Sequence, residues 1–304
     1  MIKINAESDY SVLSPDNKEL INVNRQIQIF DLENHVGECK AQFFGPKNCA
    51  RAALSSDQQL LAYSNTSGHL FLLKPSDGKL LYKSKALNDE LCSLSFLPGD
   101  RTLLISTISG YIATVEASNG KVKQYTKTPY SSVELYPTKD PGIFIGIGFR
   151  YSYAYLMKIF IQEQIDFQLV KEINRFYVET INTDANGDIC IISGKKRFLS
   201  HRYALLKYDI CNNQFVEVLD LAEGIKMCPK FGTSYWVGLS FSDDGKIGVF
   251  YTNKHVLLYR FDTNKWSGCF MADYVSDVHL TKNQLIICTW EKIIIKSYEE
   301  IFQA

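Results

Sequence analysis

A polar turn that returns about every forty residues is the strongest constraint on how this chain folds. It reads Ser14-Pro15-Asp16-Asn17, Ser55-Ser56-Asp57-Gln58, Leu97-Pro98-Gly99-Asp100, Thr138-Lys139-Asp140-Pro141-Gly142, Thr183-Asp184-Ala185-Asn186-Gly187, Ser242-Asp243-Asp244-Gly245 and Thr281-Lys282-Asn283. Asp16, Asp57, Asp100 and Asp140 follow one another at spacings of 41, 43 and 40 residues. A period of that length marks stacked supersecondary units, each unable to bury its own apolar faces alone.

Apolar segments of strand length follow the markers: Leu60 to Tyr63, Leu103 to Ile105, Ile143 to Ile147, Ile189 to Ile192 and Ile247 to Phe250. Continuous apolar runs bounded by turns fit strands covered on both faces. Third strands are expected at Gln26 to Asp31, Leu70 to Leu73, Tyr203 to Asp209 and Val256 to Asp262. A second turn family closes the units at Ser76-Asp77-Gly78-Lys79, Ser118-Asn119-Gly120-Lys121, Asn212-Asn213-Gln214 and Asp262-Thr263-Asn264-Lys265. Asp-Gly and Asn-Gly accept the positive φ that tight hairpins need. With no long capped helical periodicity, the chain reads as all-β.

The order of parts (strand, Ser-Pro-Asp-type turn, strand, loop, strand ending near Asp, Gly-Lys turn) resembles the WD-repeat propeller superfamily over essentially the whole chain. Phe30-Asp31, Tyr208-Asp209 and Phe261-Asp262 stand where that family carries Trp-Asp, and no unit has its Gly-His pair. The resemblance implies one β-propeller domain over residues 1–304, with about seven four-stranded blades. The last unit supplies three strands, near 277–279, 285–289 and 293–298. Ile2-Lys3-Ile4-Asn5 is expected to add the outer strand to it and so close the ring, because an unpaired edge invites aggregation.

Composition narrows the functional classes. Lys plus Arg and Asp plus Glu both number 33, which argues against a general nucleic-acid binder. The N-terminus lacks a signal-peptide pattern and no apolar run reaches membrane-span length, so a cytoplasmic protein without a membrane is expected. The eight cysteines hold no Cys-x-x-Cys pair, and Cys190 and Cys288 sit in apolar runs as small buried hydrophobes.

Several segments resemble chemical motifs. Residues 182–189 open like a calcium loop, but Ser193 stands where the bidentate Glu belongs, which favours a plain turn. Ser242-Asp243-Asp244-Gly245 resembles the aspartate box of sialidase-like propellers without its Trp. Gly78 to Tyr82 and Gly120 to Tyr125 are similar to quinoprotein repeats, implying blade packing and no cofactor. The histidines at 35, 69, 201, 255 and 279 are dispersed and lack metal-ligand spacing, and His69 and His255 read as surface residues. No catalytic residue and no resident metal or cofactor is assigned.

Units four and five are the longest, and their irregular segments carry the candidate partner-binding residues. The loop joining strands two and three of unit four is expected over 148–155, with Phe149, Arg150, Tyr151 and Tyr153. Unit five offers 194–203, with Lys195, Lys196, Arg197, Phe198, His201 and Arg202; the connection 222–236 offers Lys230, Phe231, Tyr235 and Trp236. The WD-type resemblance places such loops on one face, here over blades four to six. Aromatic and Arg side chains are the usual composition of binding hot spots. These residues point to a non-enzymatic interaction scaffold, a monomer or a subunit of a complex. Its partner would be a protein or peptide, acidic or phosphorylated, with an RNA backbone as second choice. The alternative is a hydrolase or lactonase-type propeller with a central metal, for which His69, His255 and Glu291 occupy comparable loop positions.

Overall fold

The computed structural model describes residues 1–304 except 86, 139, 152, 174–176, 185–187, 198–199, 210–213, 229–236, 273 and 303–304. At 177–179, 193–197, 200–202 and 209 it describes the backbone alone.

The described residues form seven four-stranded antiparallel sheets, the blades of a β-propeller. The chain starts with β1 (Ile2–Ile4). Blade one then takes β2 (Tyr10–Leu13), β3 (Glu19–Val23), β4 (Gln26–Asp31) and β5 (Cys39–Phe44). Blade two takes β6 (Cys49–Leu54), β7 (Leu61–Asn65), β8 (Leu70–Leu73) and β9 (Leu80–Ser84). Blade three takes β10 (Leu91–Phe96), β11 (Thr102–Thr107), β12 (Tyr111–Glu116) and β13 (Val122–Lys127). Blade four takes β14 (Ser131–Pro137), β15 (Ile143–Arg150), β16 (Tyr153–Ile161) and β17 (Ile165–Ile173).

Blade five takes β18 (Tyr177–Thr183), β19 (Ile189–Arg197), β20 (Ser200–Asp209) and β21 (Gln214–Asp220), followed by the short helix α1 (Ala222–Met227). Blade six takes β22 (Gly238–Phe241), β23 (Ile247–Tyr251), β24 (His255–Arg260) and β25 (Lys265–Met271). Blade seven takes β26 (Val275–Leu280), β27 (Gln284–Thr289) and β28 (Ile293–Ser297), and α2 (Tyr298–Phe302) follows it. Its fourth strand is β1, which pairs antiparallel with β28 through Ile2–Ile295, Lys3–Ile294 and Ile4–Ile293, as the sequence led us to expect.

Contacts divide the chain into two compact units: Ser8–Glu172, holding blades one to four, and Met1–Glu7 with Ile173–Ala304, holding blades five to seven. In the first unit, successive blades share apolar layers. Ile21, Val23, Ile27 and Ile29 pack with Leu61, Tyr63 and Leu73; Leu70 and Leu72 with Leu103 and Ile105; Leu104 and Ile112 with Val133, Met157 and Ile159. The second unit repeats the scheme, with Cys190, Ile192 and Leu205 against Leu239, Phe250 and Leu257, and Val249, Val256 and Leu258 against Val278, Leu285 and Ile287.

The recurring Ser-Asp turn has one geometry. The Ser14 hydroxyl donates to Asp16 Oδ1 at 2.7 Å and accepts from the N–H of Glu19 at 2.9 Å. Ser55 donates to Asp57 at 2.7 Å and accepts from Leu60 N–H at 2.9 Å, and Ser242 donates to Asp244 at 2.8 Å and accepts from Ile247 N–H at 3.0 Å. All three serines are buried, so their hydroxyls satisfy a strand-end amide that water does not reach. The aspartate-box-like segment is thus one more copy of this turn. At the second turn, Gly78 and Gly120 have φ of +69° and +74°, and a Cβ there would collide with Phe43 and Tyr82 on the outer strand of the preceding blade. Tyr82 of the quinoprotein-like segment is therefore a blade-packing residue.

Two expectations need correction. Residues 148–155 are not a loop: β15 runs to Arg150 and β16 resumes at Tyr153. The segment 194–203 is likewise strand through Arg197 and again from Ser200. In 148–155 the ladder lengthens because aromatic residues alternating with small ones satisfy sheet pairing as well as they would a loop. His255, expected at the surface, is buried at the start of β24, where its N–H donates to Thr252 Oγ1.

Replacing Ser55 by Ala should cost about 1–3 kcal/mol, since it leaves a buried amide unsatisfied. Asp16 is held below the ordinary carboxylate pKa by the Ser14 hydroxyl, and Asp57 by the Gln59 N–H and then Ser55. A depressed folded-state pKa stabilises above the unfolded value, near 4, and the contribution disappears as pH falls through the folded value. Melting of Ser55→Ala should show a deficit at pH 7 that narrows toward pH 2; an equal deficit at both would remove Asp57 from the explanation.

Candidate functional site

Strand length singles out blade four within its unit. β15 and β16 have 8 and 9 residues, against 5 and 4 for the equivalent β7 and β8. From the start of the second strand to the end of the third the hairpin runs over 143–161 against 61–73, and about three added residues on each strand carry it about 10 Å further. Room for this comes from Gly148, where a Cβ would lie 2.5 Å from the Tyr130 Cβ. Tyr130 stacks on Tyr155 with ring centroids 4.5 Å apart, and Ser131 Oγ donates to Phe149 O at 2.9 Å. The base of the hairpin is therefore fixed.

At its tip Arg150 and Tyr153 form the final pair of the ladder. Tyr151 follows in the left-handed region, φ +56°, and is 89% exposed. Tight hairpins prefer Asn, Asp or Gly at such a position, and a large aromatic there is strained by about 1 kcal/mol. The Arg150 guanidinium sits 5.5 Å from the Tyr151 ring centroid and makes no ion pair among the described residues. Phe149 is half-buried, Tyr153 exposed. An exposed, strained aromatic beside an unpaired guanidinium on a rigid stem is suited to binding rather than to packing.

The second unit carries a comparable extension, with β19 and β20 of 9 and 10 residues against 5 and 6 for β23 and β24. Its ladder pairs Lys195 with Arg202, Lys196 with His201 and Arg197 with Ser200. Phe198, Lys230, Phe231, Tyr235 and Trp236 lie outside the described residues. Blade four belongs to one compact unit and blades five and six to the other.

The residues considered for a metal divide in the same way, His69 in the first unit and His255 and Glu291 in the second. Burial, then Lys83 and Lys85, lowers the His69 pKa. No group of three or more metal-ligating side chains converges among the described residues. In the calcium-like segment Lys207 Nζ lies 3.0 Å from Asp184 and 2.7 Å from Asp188, placing an ammonium between the carboxylates a cation would need. On the innermost strands, Glu134 accepts the Tyr136 hydroxyl at 2.6 Å and lies 3.9 Å from Arg51, whose Nη1 donates to Ala50 O. Burial pushes the Tyr136 hydroxyl well above its usual pKa, followed by the Glu134 charge. Each of these groups has a partner, which makes the network a tie between blades.

The sequence reading missed Tyr274 and Trp290, stacked at 5.1 Å with planes 8° apart though 46% and 60% exposed. The available signal was a Trp within the short β27–β28 turn, where Gly, Asn or Asp is expected.

No family model and no curated protein matches the chain. Its fold matches 1612 solved chains, a breadth that belongs to an architecture rather than to one activity. One is a Kuenenia stuttgartiensis hydrazine synthase chain, with a TM-score of 0.77 over 96% of each chain and 10% sequence identity. The chain is a β-propeller, and at that identity the likeness shows the fold alone. No helix among the described residues is long and apolar enough to cross a membrane.

Tyr151→Asn should raise the melting temperature by about 2 °C by relieving the left-handed strain. A drop on a thermal melt would mean that Tyr151 is a packing residue.

Proposed function

We propose that this chain is a WD-type propeller acting as a non-enzymatic interaction module, binding its partner through the extended hairpin of blade four, with the hairpin of blade five as a separate candidate surface. The observation that carries this reading is Tyr151: exposed, left-handed and beside Arg150 at the end of a stiffened ladder. A residue that costs stability and packs on no core is explained by what it contacts outside the chain. The WD-type reading is supported by the repeated Ser-Asp turn and by the outer strand that β1 contributes to blade seven. Arg150 and the cationic pairs of the second hairpin favour an acidic or phosphorylated protein segment. The cytoplasm would suit such a module.

Tagged protein should capture a defined partner from native lysate. Capture should fall at least about tenfold when Arg150→Glu is combined with Tyr151→Asn, and again when Lys195, Lys196 and Arg197 are changed to Glu. Undiminished capture by variants that melt normally would overturn the assignment. Stoichiometric calcium, zinc or manganese in the purified protein would favour the hydrolase reading instead.

A further inference from the structure

Blade seven carries a second surface, remote in sequence from the hairpin tips. A cleft of about 350 Å3 lies between β25 and the β1–β28 side of blade seven, entirely within the second unit. Its apolar lining includes Phe270, Ile287 and Ile294, and its polar lining is Lys3, Lys292 and Lys296. Among the described residues, no carboxylate lines it.

The register explains why the lysines converge. Alternate residues of a strand share a face, so Ile294 and Lys296 point the same way along β28, and Lys292, in the turn just before it, lines the same cleft. Lys3 pairs directly with Ile294 and joins that face from β1; Ile287 pairs with Ile294 from the other side. Three ammoniums thus ring one isoleucine, with Lys292 and Lys296 about 13 Å apart along the chain and Lys3 between them, one strand spacing to the side. None makes an ion pair among the described residues. Lys296 Nζ instead lies 3.9 Å from the Phe270 ring centroid. Lysine on an edge strand is a common guard against sheet-to-sheet aggregation, which accounts for Lys3. It does not account for Lys296, half-buried on a strand that β1 already covers, or for Lys292, half-buried in the turn before that strand.

We infer that this cleft binds an acidic segment of a partner protein in extended conformation. Its alternate carboxylates would meet Lys3, Lys292 and Lys296 on one side, and the apolar side chains between them would face Phe270 on the β25 side of the cleft. The spread of charge decides the ligand class. Same-face residues of an extended peptide recur about every 6.7 Å, so carboxylates at alternate positions follow the lysines along the strand. A single phosphate would reach both end lysines only by drawing Lys296 off Phe270. Nucleic acid would want a continuous basic stripe, whereas the chain has no net charge. Pairing with carboxylates removes the mutual repulsion of three neighbouring cations.

The test is fluorescence anisotropy on the full chain with a labelled short peptide alternating Glu and Leu. A Gln-for-Glu peptide, a Lys3→Glu/Lys292→Glu double variant and inorganic tripolyphosphate provide the other arms. Saturable binding is expected, at least about tenfold weaker for the Gln peptide and for the double variant, and weakening as salt rises. Lys296 is left intact because it packs on Phe270; should the double variant not fold, Lys3→Gln and Lys292→Gln singly carry the comparison. Equal binding of Glu and Gln peptides, or undiminished binding by a folded variant, would overturn the proposal. So would binding of tripolyphosphate with none of the acidic peptide, which would make the cleft a small-anion site. Because the peptide is added to purified protein, its failure to bind leaves partner capture by the hairpins to be judged separately.

Discussion

A four-stranded blade with apolar residues on both faces has no stable existence alone, and this constraint organises the molecule. β3 is buried at four of its five residues, β11 at five of six and β23 throughout. Such strands need a covering layer on each side, and the apolar clusters supply it by taking residues from two neighbouring blades. Blade seven, with three strands of its own, would leave β28 as a bare edge. β1 fills that place through three residue pairs, so the first strand of the chain is part of the last blade.

The Ser-Asp turn makes the repeat possible at low sequence cost. One buried hydroxyl and one exposed carboxylate satisfy the amides where the two inner strands meet, and little else in the unit needs to be fixed. Apolar positions can vary so long as they fill the layer, which is consistent with an architecture shared at 10% identity. The same economy removes most apparent chemistry. The aspartate-box-like turn is structural, and the calcium-like carboxylates are held by Lys207.

The fold was largely legible because both turn families are local. Ser14 and Asp16, or Asn119 and Gly120, announce themselves in a few residues, and the missing outer strand of the last unit pointed to Ile2-Lys3-Ile4. The candidate site was legible in composition but not in form. Gly148 to Tyr155 reads as a loop because Arg and Tyr suit loops, yet the same residues continue a ladder once Gly148 makes room for Tyr130. His255 looked exposed because its position in the repeat is a strand start, and only packing reveals that this start is covered. The lysine cleft was not legible at all. Lys3 and Lys292 come from opposite ends of the chain, and only the β1–β28 register brings them together.

Removing residues 1–7 tests the dependence of each blade on its full complement of strands most directly. Thermal melting and light scattering of the shortened chain should show a melting temperature lower by about 5 °C and concentration-dependent association through the bared β28 edge. A shortened chain that melts with the intact protein and stays monomeric would contradict the dependence.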